Sequence, residues 1–317
     1  MLQSLGPEHV KDKDVTDFML TESDDHSWPA PAKINLFLHV VGKRSDGYHL
    51  LQTAFQFLNY GDELVFSIND SGRIERDYDF GFSEESDLCM RAAQQLKRFS
   101  DSRCGVVIGM KKNLPMGGGL GGGSSDAATV LIALNKLWGL KLSRDTLSQI
   151  GLGLGADVPV FIGGQAAWAE GIGEILTPIN PVESWYLVLN PGVEVSTVEI
   201  FSNKRLTPRP EMKKIRALEK GTNSPQSENE ANGYVIDSTF GENQLEEIVR
   251  AEYPEVNELL EWLSQFGQPR MSGSGGSVFL PVGSEQAGLE ILHKRPLNSA
   301  GFVAKGENFH PLYKEIE

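Results

Sequence analysis

The feature that most constrains this chain is a run of glycines at 117–123, inside the segment NLPMGGGLGGGSSDAA at 113–128. Glycines order at a high entropic cost, but they can adopt positive φ and bring backbone N–H groups against a ligand. An apolar helical pattern follows the run. A helix beginning at Ser124 or Ser125 would direct its free N–H groups and its positive dipole end into the loop. The segment therefore predicts a phosphate-binding loop. A flexible Gly/Ser linker is the alternative, and the helix that follows at once disfavours it.

Two common nucleotide loops fit this run poorly. Gly118 and Gly123 have Walker A spacing, but Ser124 stands at the position of the required lysine. A G-x-G-x-x-G match is nearly guaranteed in such a glycine-rich run. The dinucleotide fold also needs an acidic residue about 20 positions later, at the end of a second strand. The first acidic residue after Asp126 is Asp145, in a predicted helix start. The remaining interpretation is a loop that holds a nucleoside triphosphate with its backbone N–H groups and serine hydroxyls.

Length, charge and cysteine count narrow the class of protein. A chain of 317 residues suggests two domains, and a net charge of −14 argues against a nucleic-acid partner but not against a small phosphorylated ligand. Two cysteines, no apolar leader and no long apolar run predict a cytoplasmic protein without a membrane partner. A small-molecule substrate is therefore expected, with the protein a monomer or a weak homodimer.

Hydrophobic periodicity outlines the elements along the chain. Residues 1–27 read as an acidic, loosely attached tail, 28–181 as an N-terminal domain and 182–317 as a C-terminal domain, with an exposed loop at 221–233. Strands are predicted at 33–41, 53–58, 63–68, 105–111, 166–170, 185–190, within 271–280 and at 301–305. Helices are predicted at 88–99 capped by Asp87, from the glycine loop to Trp138, after Ser143, and at 196–205, 209–219, 242–266 and 285–293.

Two charged residues stand in apolar surroundings. Lys33 begins the strand KINLFLHVV, where alternation places it on one face with Asn35 and Phe37. An edge lysine with its head group in water is the ordinary reading of such a position. Asp157 lies in the apolar GADVPVF, where it is either a helix cap or a functional carboxylate.

Three motifs together identify a resemblance to the GHMP kinases. PAKINLFL at 31–38, LPMGGGLGGGSSDAA at 114–128 and MSGSGGSVF at 271–279 occur in that family's order. The stretches at 31–62 and 154–174 are most similar to the 4-diphosphocytidyl-2-C-methyl-D-erythritol kinases of that superfamily. The resemblance covers about residues 28–311. It implies an α+β fold of two domains, one like domain 2 of ribosomal protein S5 and the other ferredoxin-like, with the active site between them.

The resemblance also implies a reaction and a catalytic pair. ATP would phosphorylate the tertiary 2-hydroxyl of 4-diphosphocytidyl-2-C-methyl-D-erythritol, with Mg²⁺ as the metal and Asp157 and Lys33 at the family's catalytic positions. A carboxylate can accept the hydroxyl proton, and an ammonium favours the developing alkoxide. The implied ATP-binding residues are Pro115, Met116, Gly117, Gly118, Gly119, Leu120, Gly121, Gly122, Gly123, Ser124 and Ser125.

The same resemblance implies how the acceptor is bound. Tyr48 and Phe201 would sandwich the cytosine and His49 would hydrogen-bond its edge, while Asn35 and Thr197 would also contact substrate. From the residues alone, DGYH at 46–49 is an ordinary turn. The aromatic residues at 55 and 57 fit a pocket or the core equally well.

Other points stay open at the level of sequence. Ser124 and Ser125 could meet phosphate oxygens or Mg²⁺, but no protein carboxylate stands out as a metal ligand, since Asp126 could simply favour the helix start. The segment 271–277 either closes over the substrate, supports the first glycine loop or is a plain turn. Another GHMP kinase and a non-catalytic nucleotide-binding regulator are the alternative functions.

Overall fold

The computed structural model of the chain describes residues 24–209, 236 and 240–313. The expectations for residues 1–23, for most of 209–219 and for 221–233 lie outside these ranges. The strands are β1 Asp24–Lys43, β2 His49–Asn69, β3 Ile74–Arg76, β4 Gly105–Lys111, β5 Ala167–Glu170, β6 Ile175–Pro178, β7 Trp185–Asn190, β8 Arg270–Met271, β9 Val278–Val282 and β10 Ala300–Glu307. The helices are α1 Leu88–Ser100, α2 Gly122–Leu137, α3 Arg144–Leu152, α4 Val158–Gly163, α5 Thr197–Ser202, α6 Glu246–Glu252, α7 Pro254–Leu263 and α8 Glu285–Leu292.

A long antiparallel hairpin of β1 and β2 forms the centre of the first half. The prediction of separate strands at 53–58 and 63–68 is wrong, because β2 continues through both. The strict alternation predicted for β1 is also wrong at Phe37. A bulge between Asn35 and Phe37 shifts the register, and Phe37 packs in one core cluster with Ile34 and Leu36.

One sheet runs through both halves of the described chain, in the order β3-β4-β2-β10-β7-β9-β8. β10 pairs with β7 along most of its length and reaches β2 at Gly306 and Glu307. Helices α1 and α2 cover the first half of the sheet, and α6 and α7 pack with the second half. The domain boundary predicted after Pro181 stays a prediction. The sheet contains strands from both sides of this position.

Local signals placed most helix starts correctly. The Asp87 side chain accepts hydrogen bonds from the N–H groups of Cys89 and Met90, and Ser143 caps α3 in the same way. Two helix predictions need correction. The helix after the glycine loop begins at Gly122, two residues before Ser124, and the stretch 242–266 contains two helices that meet at Tyr253–Pro254. Proline fits the first turn of α7 but not the interior of one longer helix.

The last described residues return to the core of the first half. His310 is completely buried, with its ring 5.5 Å from the ring of Phe57 and 6.3 Å from that of Phe161. Its Nδ1 accepts a hydrogen bond from the Leu312 N–H. Burial lowers the pKa of His310 to about 3, so the folded protein holds the neutral imidazole.

This buried imidazole predicts an acid-sensitive core. The unfolded state binds a proton at His310 below about pH 6.5, whereas the folded state does not until about pH 3, so stability falls as the pH falls through this window. The limiting slope is about 1.4 kcal/mol per pH unit. We expect His310→Gln to flatten this dependence in denaturant unfolding measured from pH 8 to pH 4. The exposed His293 supplies the control, and an equal change in His293→Gln would contradict the assignment.

Candidate active site

The glycine loop is anchored to the start of α2 by its own backbone. Gly121 adopts a left-handed conformation with φ of 73° and directly precedes the helix. The Lys33 N–H donates to Leu120 O at 2.9 Å, which ties the loop to β1. The Ser125 N–H is already used inside the helix, bonded to Gly121 O at 2.8 Å, so the free donors of the helix start belong to the residues before it.

The second glycine segment supports the first. The Ser272 hydroxyl donates to Gly119 O at 2.9 Å and accepts the Asn35 N–H at 3.2 Å. The Asn243 side chain holds the same segment from the other side, through Met271 O and Gly273 O. Of the three alternatives for 271–277, support of the phosphate loop is the one these contacts show.

Lys33 lies inside the protein and not at a solvated edge, with 3% of its surface exposed. Its Nζ lies 2.7 Å from Asn35 Oδ1, 3.2 Å from Gly119 O and 3.2 Å from Asp157 Oδ2. Three acceptors around one nitrogen match the three protons of an ammonium group. Lys33 is therefore built in as a fixed positive charge beside the glycine loop.

Asp157 stands at the residue before α4, yet its side chain makes no cap hydrogen bond. The carboxylate faces Lys33 instead and remains one-third exposed. Of the two sequence interpretations, a helix cap does not describe this side chain. A carboxylate that is partly open to solvent and fixed by an ammonium suits proton transfer with a ligand.

Two cavities meet at the glycine loop. One, of about 580 Å³, is lined by the loop from Pro115 to Ser124 together with the start of α1. The other, of about 260 Å³, is lined by Lys33, Asn35, Asp157, Thr197 and Phe201. Gly117, Gly119, Gly121 and Thr197 line both. Two ligands would therefore approach each other across the loop, with the Lys33–Asp157 pair on one side of the junction.

The larger cavity contains a wall that the sequence analysis did not identify. Tyr78, Phe80 and Phe82 line it, with the rings of Tyr78 and Phe80 stacked at 5.0 Å. Every second residue in YDFGF is aromatic, a spacing that could have indicated one aromatic face. Such a wall can stack against a flat base.

A buried charge cluster under the loop also escaped the sequence analysis. Lys112 Nζ lies 2.6 Å from both Asp62 Oδ2 and Asp126 Oδ2. The other oxygen of Asp62 accepts the N–H groups of Asn113 and Leu114, at 2.6 and 2.8 Å. This carboxylate therefore fixes the path by which the chain enters the glycine loop.

The cluster holds two carboxylates for one ammonium. Burial raises the pKa of Asp126 to about 7, with Lys112 opposing the shift and Asp62 adding to it. Burial alone would lower the pKa of Lys112, but the charges of Asp126 and Asp62 raise it. One ammonium therefore serves two buried carboxylates, so Lys112 does not offset the whole effect of burial on the pKa of Asp126.

The residues predicted to bind cytidine are only partly assembled. His49 lies beside Phe201 with ring centroids 5.5 Å apart, while Tyr48 is 61% exposed at the tip of the hairpin. Neither Tyr48 nor His49 lines the smaller cavity. Burial, and then the charge of Lys43, lower the pKa of His49, which favours a neutral ring that can donate and accept hydrogen bonds. Their role in binding stays a prediction.

The remaining predicted residues divide between cavity and core. Thr197 Oγ1 lies 2.6 Å from Ser274 Oγ at the opening of the smaller cavity. Phe55 and Phe57 both belong to the core, and Phe55 also lines that cavity, with its ring 5.2 Å from Lys33 Nζ. Ser125 is fully buried and lines neither cavity, so its predicted contact with the donor stays untested.

The contact between the two glycine segments generates a prediction at Gly119. Its φ is 72°, and a Cβ there would lie 2.3 Å from Ser272 O and 2.6 Å from Gly275 O. We expect Gly119→Ala to cost more than about 2 kcal/mol of stability, from backbone strain and overpacking, and to abolish binding of an ATP analogue. Denaturant unfolding and titration calorimetry would measure these effects.

Gly163 provides the matched control for this substitution. It is exposed, has no positive φ, and a Cβ there would meet nothing within 4 Å. Gly163→Ala should change stability by less than about 0.5 kcal/mol. Binding of the analogue by Gly119→Ala at the affinity of Gly163→Ala would contradict the importance of the close approach.

The described residues contain neither a membrane-spanning helix nor a preformed metal cluster. Within those ranges, no helix is long and apolar enough to cross a bilayer. The same ranges contain no group of three or more His, Cys, Asp or Glu side chains arranged to hold a metal ion.

Comparison with known proteins gives matches over nearly the whole chain. The family model "GHMP kinases N terminal domain" matches residues 87–165, and "GHMP kinases C terminal" matches residues 216–296. A 4-diphosphocytidyl-2-C-methyl-D-erythritol kinase of Thiobacillus denitrificans is 48% identical over 90% of this chain and 97% of its own length. The protein of that name from Marinobacter nauticus is also 48% identical, over 91% of this chain and 96% of its own.

Solved structures agree with these sequence matches. A crystal structure of 4-(cytidine 5'-diphospho)-2C-methyl-D-erythritol kinase is 29% identical, with a TM-score of 0.68 over 89% of this chain and 99% of that chain. The mevalonate kinase of Methanococcus jannaschii is 13% identical, with a TM-score of 0.61 over 89% of this chain and 98% of that chain, a likeness of fold alone.

Proposed function

Since the chain belongs to the 4-diphosphocytidyl-2-C-methyl-D-erythritol kinases, a family of the GHMP kinases, we propose that it transfers the γ-phosphoryl group of ATP to the 2-hydroxyl of that cytidyl alcohol. The products are ADP and the 2-phosphate, an intermediate of non-mevalonate isoprenoid biosynthesis. The observation that carries this proposal is the junction of two cavities at the glycine loop, beside the Lys33–Asp157 pair.

ATP occupies the larger cavity in this proposal. Its phosphates lie against the free N–H groups of the glycine loop and the Ser124 hydroxyl, where the positive end of α2 adds to the attraction. The base lies by the aromatic wall of Tyr78, Phe80 and Phe82. The loop lacks a Walker lysine, and Lys33 brings a positive charge to Gly119 O at the junction.

The acceptor alcohol occupies the smaller cavity. Asp157 accepts the proton of the attacking hydroxyl as the new O–P bond forms and the bond from phosphorus to the ADP oxygen breaks. The Lys33 ammonium, 3.2 Å from Asp157 Oδ2, offsets negative charge on the attacking oxygen. Positioning and charge stabilisation account for most catalysis in this reaction class.

The oxygen donors at the start of α2 fit Mg²⁺ as the companion of ATP. Asp126 Oδ1 is buried, lies beside the larger cavity and has no hydrogen-bond partner among the described residues. Mg²⁺ binds through one or two protein oxygens together with phosphate oxygens and water, so it needs no dedicated protein cage. Asp126 and the Ser124 hydroxyl would hold the ion, and the ion would neutralise phosphate charge.

Cytidine recognition rests on the aromatic residues near the hairpin tip. We place the cytosine between Tyr48 and Phe201, with a neutral His49 at its edge. His49 and Phe201 lie side by side in the structure, and Tyr48 is exposed. The base would therefore enter between Tyr48 and Phe201 from the solvent side. Stacking on two aromatic faces suits a pyrimidine ring.

Two further properties belong to this proposal. Cys89 and Cys104 are both free thiols, which suits a cytoplasmic enzyme. A monomer or a weak homodimer would meet the needs of the site, because one chain supplies all the residues proposed here.

A direct assay distinguishes the proposed substrate from those of other GHMP kinases. Purified protein, ATP and Mg²⁺ are mixed with the cytidyl alcohol, with mevalonate or with homoserine, and ADP release is followed. We expect turnover with the cytidyl alcohol alone. Turnover with one of the other alcohols instead would identify a different GHMP kinase. Nucleotide binding without turnover on any alcohol would favour a regulator.

The Lys33–Asp157 pair predicts a large and specific loss of turnover. Removal of a general base lowers kcat by about 10²- to 10⁴-fold, so Asp157→Asn should fall in this range while ATP still binds. Lys33→Ala should also lower kcat strongly, since its charge lies beside the junction. Asp145→Asn is the control, because Asp145 is an exposed carboxylate at the start of α3. Near-normal turnover of Asp157→Asn would remove that residue from its proposed role.

A further inference from the structure

The position of Lys33 depends on the orientation of one amide group. Asn35 Oδ1 lies 2.7 Å from Lys33 Nζ, the shortest of the three contacts made by that ammonium. An Asn side chain turned by 180° would present its NH₂ group to the ammonium, and two donors would then face each other. Something must therefore hold the Asn35 amide with its oxygen towards Lys33.

Thr53, on the neighbouring strand β2, supplies that constraint. Its hydroxyl has a single proton, and it donates that proton to Phe37 O. Towards Asn35 the same oxygen can only accept, and it lies 2.8 Å from Asn35 Nδ2. The proton count fixes the NH₂ group on the Thr53 side and the oxygen on the Lys33 side.

The bulge in β1 makes this arrangement possible. It lies between Asn35 and Phe37, where the ladder with β2 is interrupted, and the Phe37 carbonyl meets a side chain. Thr53 and Asn35 are 1% and 3% exposed, so water competes little for either hydrogen bond. The three groups form a buried chain that ends at the ammonium.

We propose that Thr53 is a positioning residue for phosphoryl transfer, which orients the Asn35 amide so that Asn35 holds the Lys33 ammonium against Asp157 and the glycine loop. The inference rests on the proposed function, because it gives Lys33 a task in the reaction. Thr53 also lines the smaller cavity, but its hydroxyl is engaged by Phe37 O and Asn35 Nδ2, so we assign its effect to Asn35.

Thr53→Val removes the hydroxyl and keeps the branched shape. The Asn35 amide loses the acceptor that fixes it and is free to turn. We expect kcat with the cytidyl alcohol to fall at least tenfold, while KM for ATP stays within twofold of the parent, since the donor cavity is unchanged. Thr53→Ser keeps the hydroxyl and should retain at least half of the parental kcat.

Thr129→Val is the matched control for the loss of a buried hydroxyl. Thr129 lies in α2, away from Asn35, and is also fully buried. Its hydroxyl donates to Pro29 O at 3.1 Å. Both valine variants should lose thermal stability, but only Thr53→Val should lose kcat. Thr53→Ala replaces Thr53→Val in the same comparison if the valine variant does not fold.

A double-mutant cycle shows whether Thr53 works through Asn35. In the Asn35→Ala background, Thr53→Val should change kcat by less than twofold, because the group it orients is gone. If the losses of kcat caused by Thr53→Val and by Asn35→Ala multiply in the double variant, the proposal is wrong. Parental kcat in Thr53→Val, or equal losses in Thr53→Ser and Thr53→Val, would also overturn it. Failure of the parent to turn over the cytidyl alcohol would instead refute the proposed function, so the two failures are distinguishable.

Discussion

The site depends on one buried positive charge. The Lys33 ammonium meets a carboxylate, an amide oxygen and a backbone carbonyl, and so joins β1, the glycine loop and the start of α4. A buried charge is costly unless it is paired and hydrogen-bonded on every side. The surroundings of Lys33 meet that condition with one acceptor for each proton, so this charge also fixes the relative positions of the elements around it.

The phosphate loop is held from below by a second group of buried charges. Asp62 binds the backbone at Asn113 and Leu114, and Lys112 links it to Asp126, the fifth residue of α2. On the other side, the Ser272 hydroxyl holds Gly119. A glycine-rich segment would be flexible by itself, and these contacts from both sides give it one conformation, as a preorganised binding site requires.

Sequence patterns predicted most of the elements and the family of the protein. The GHMP kinase fold expected from three ordered motifs is confirmed. The β4 strand, the Asp87 cap and the Ser143 cap follow from local chemistry, which neighbouring residues complete by themselves. The errors in the strands arose where distant contacts decide. The bulge at Phe37 and the uninterrupted β2 depend on pairing between strands, which periodicity within one strand does not contain.

The sequence by itself determined that this chain belongs among the GHMP kinases, and it indicated a phosphate-binding loop and the lysine and aspartate to consider. Those conclusions depend on residue types at short, fixed spacings. Only the tertiary structure decided that Lys33 is buried and not at an edge, that Asp157 faces it instead of capping α4, and that the Asn35 amide lies between Lys33 and Thr53. These side chains lie far apart along the chain, and strand pairing and helix packing bring their polar atoms within hydrogen-bond distance.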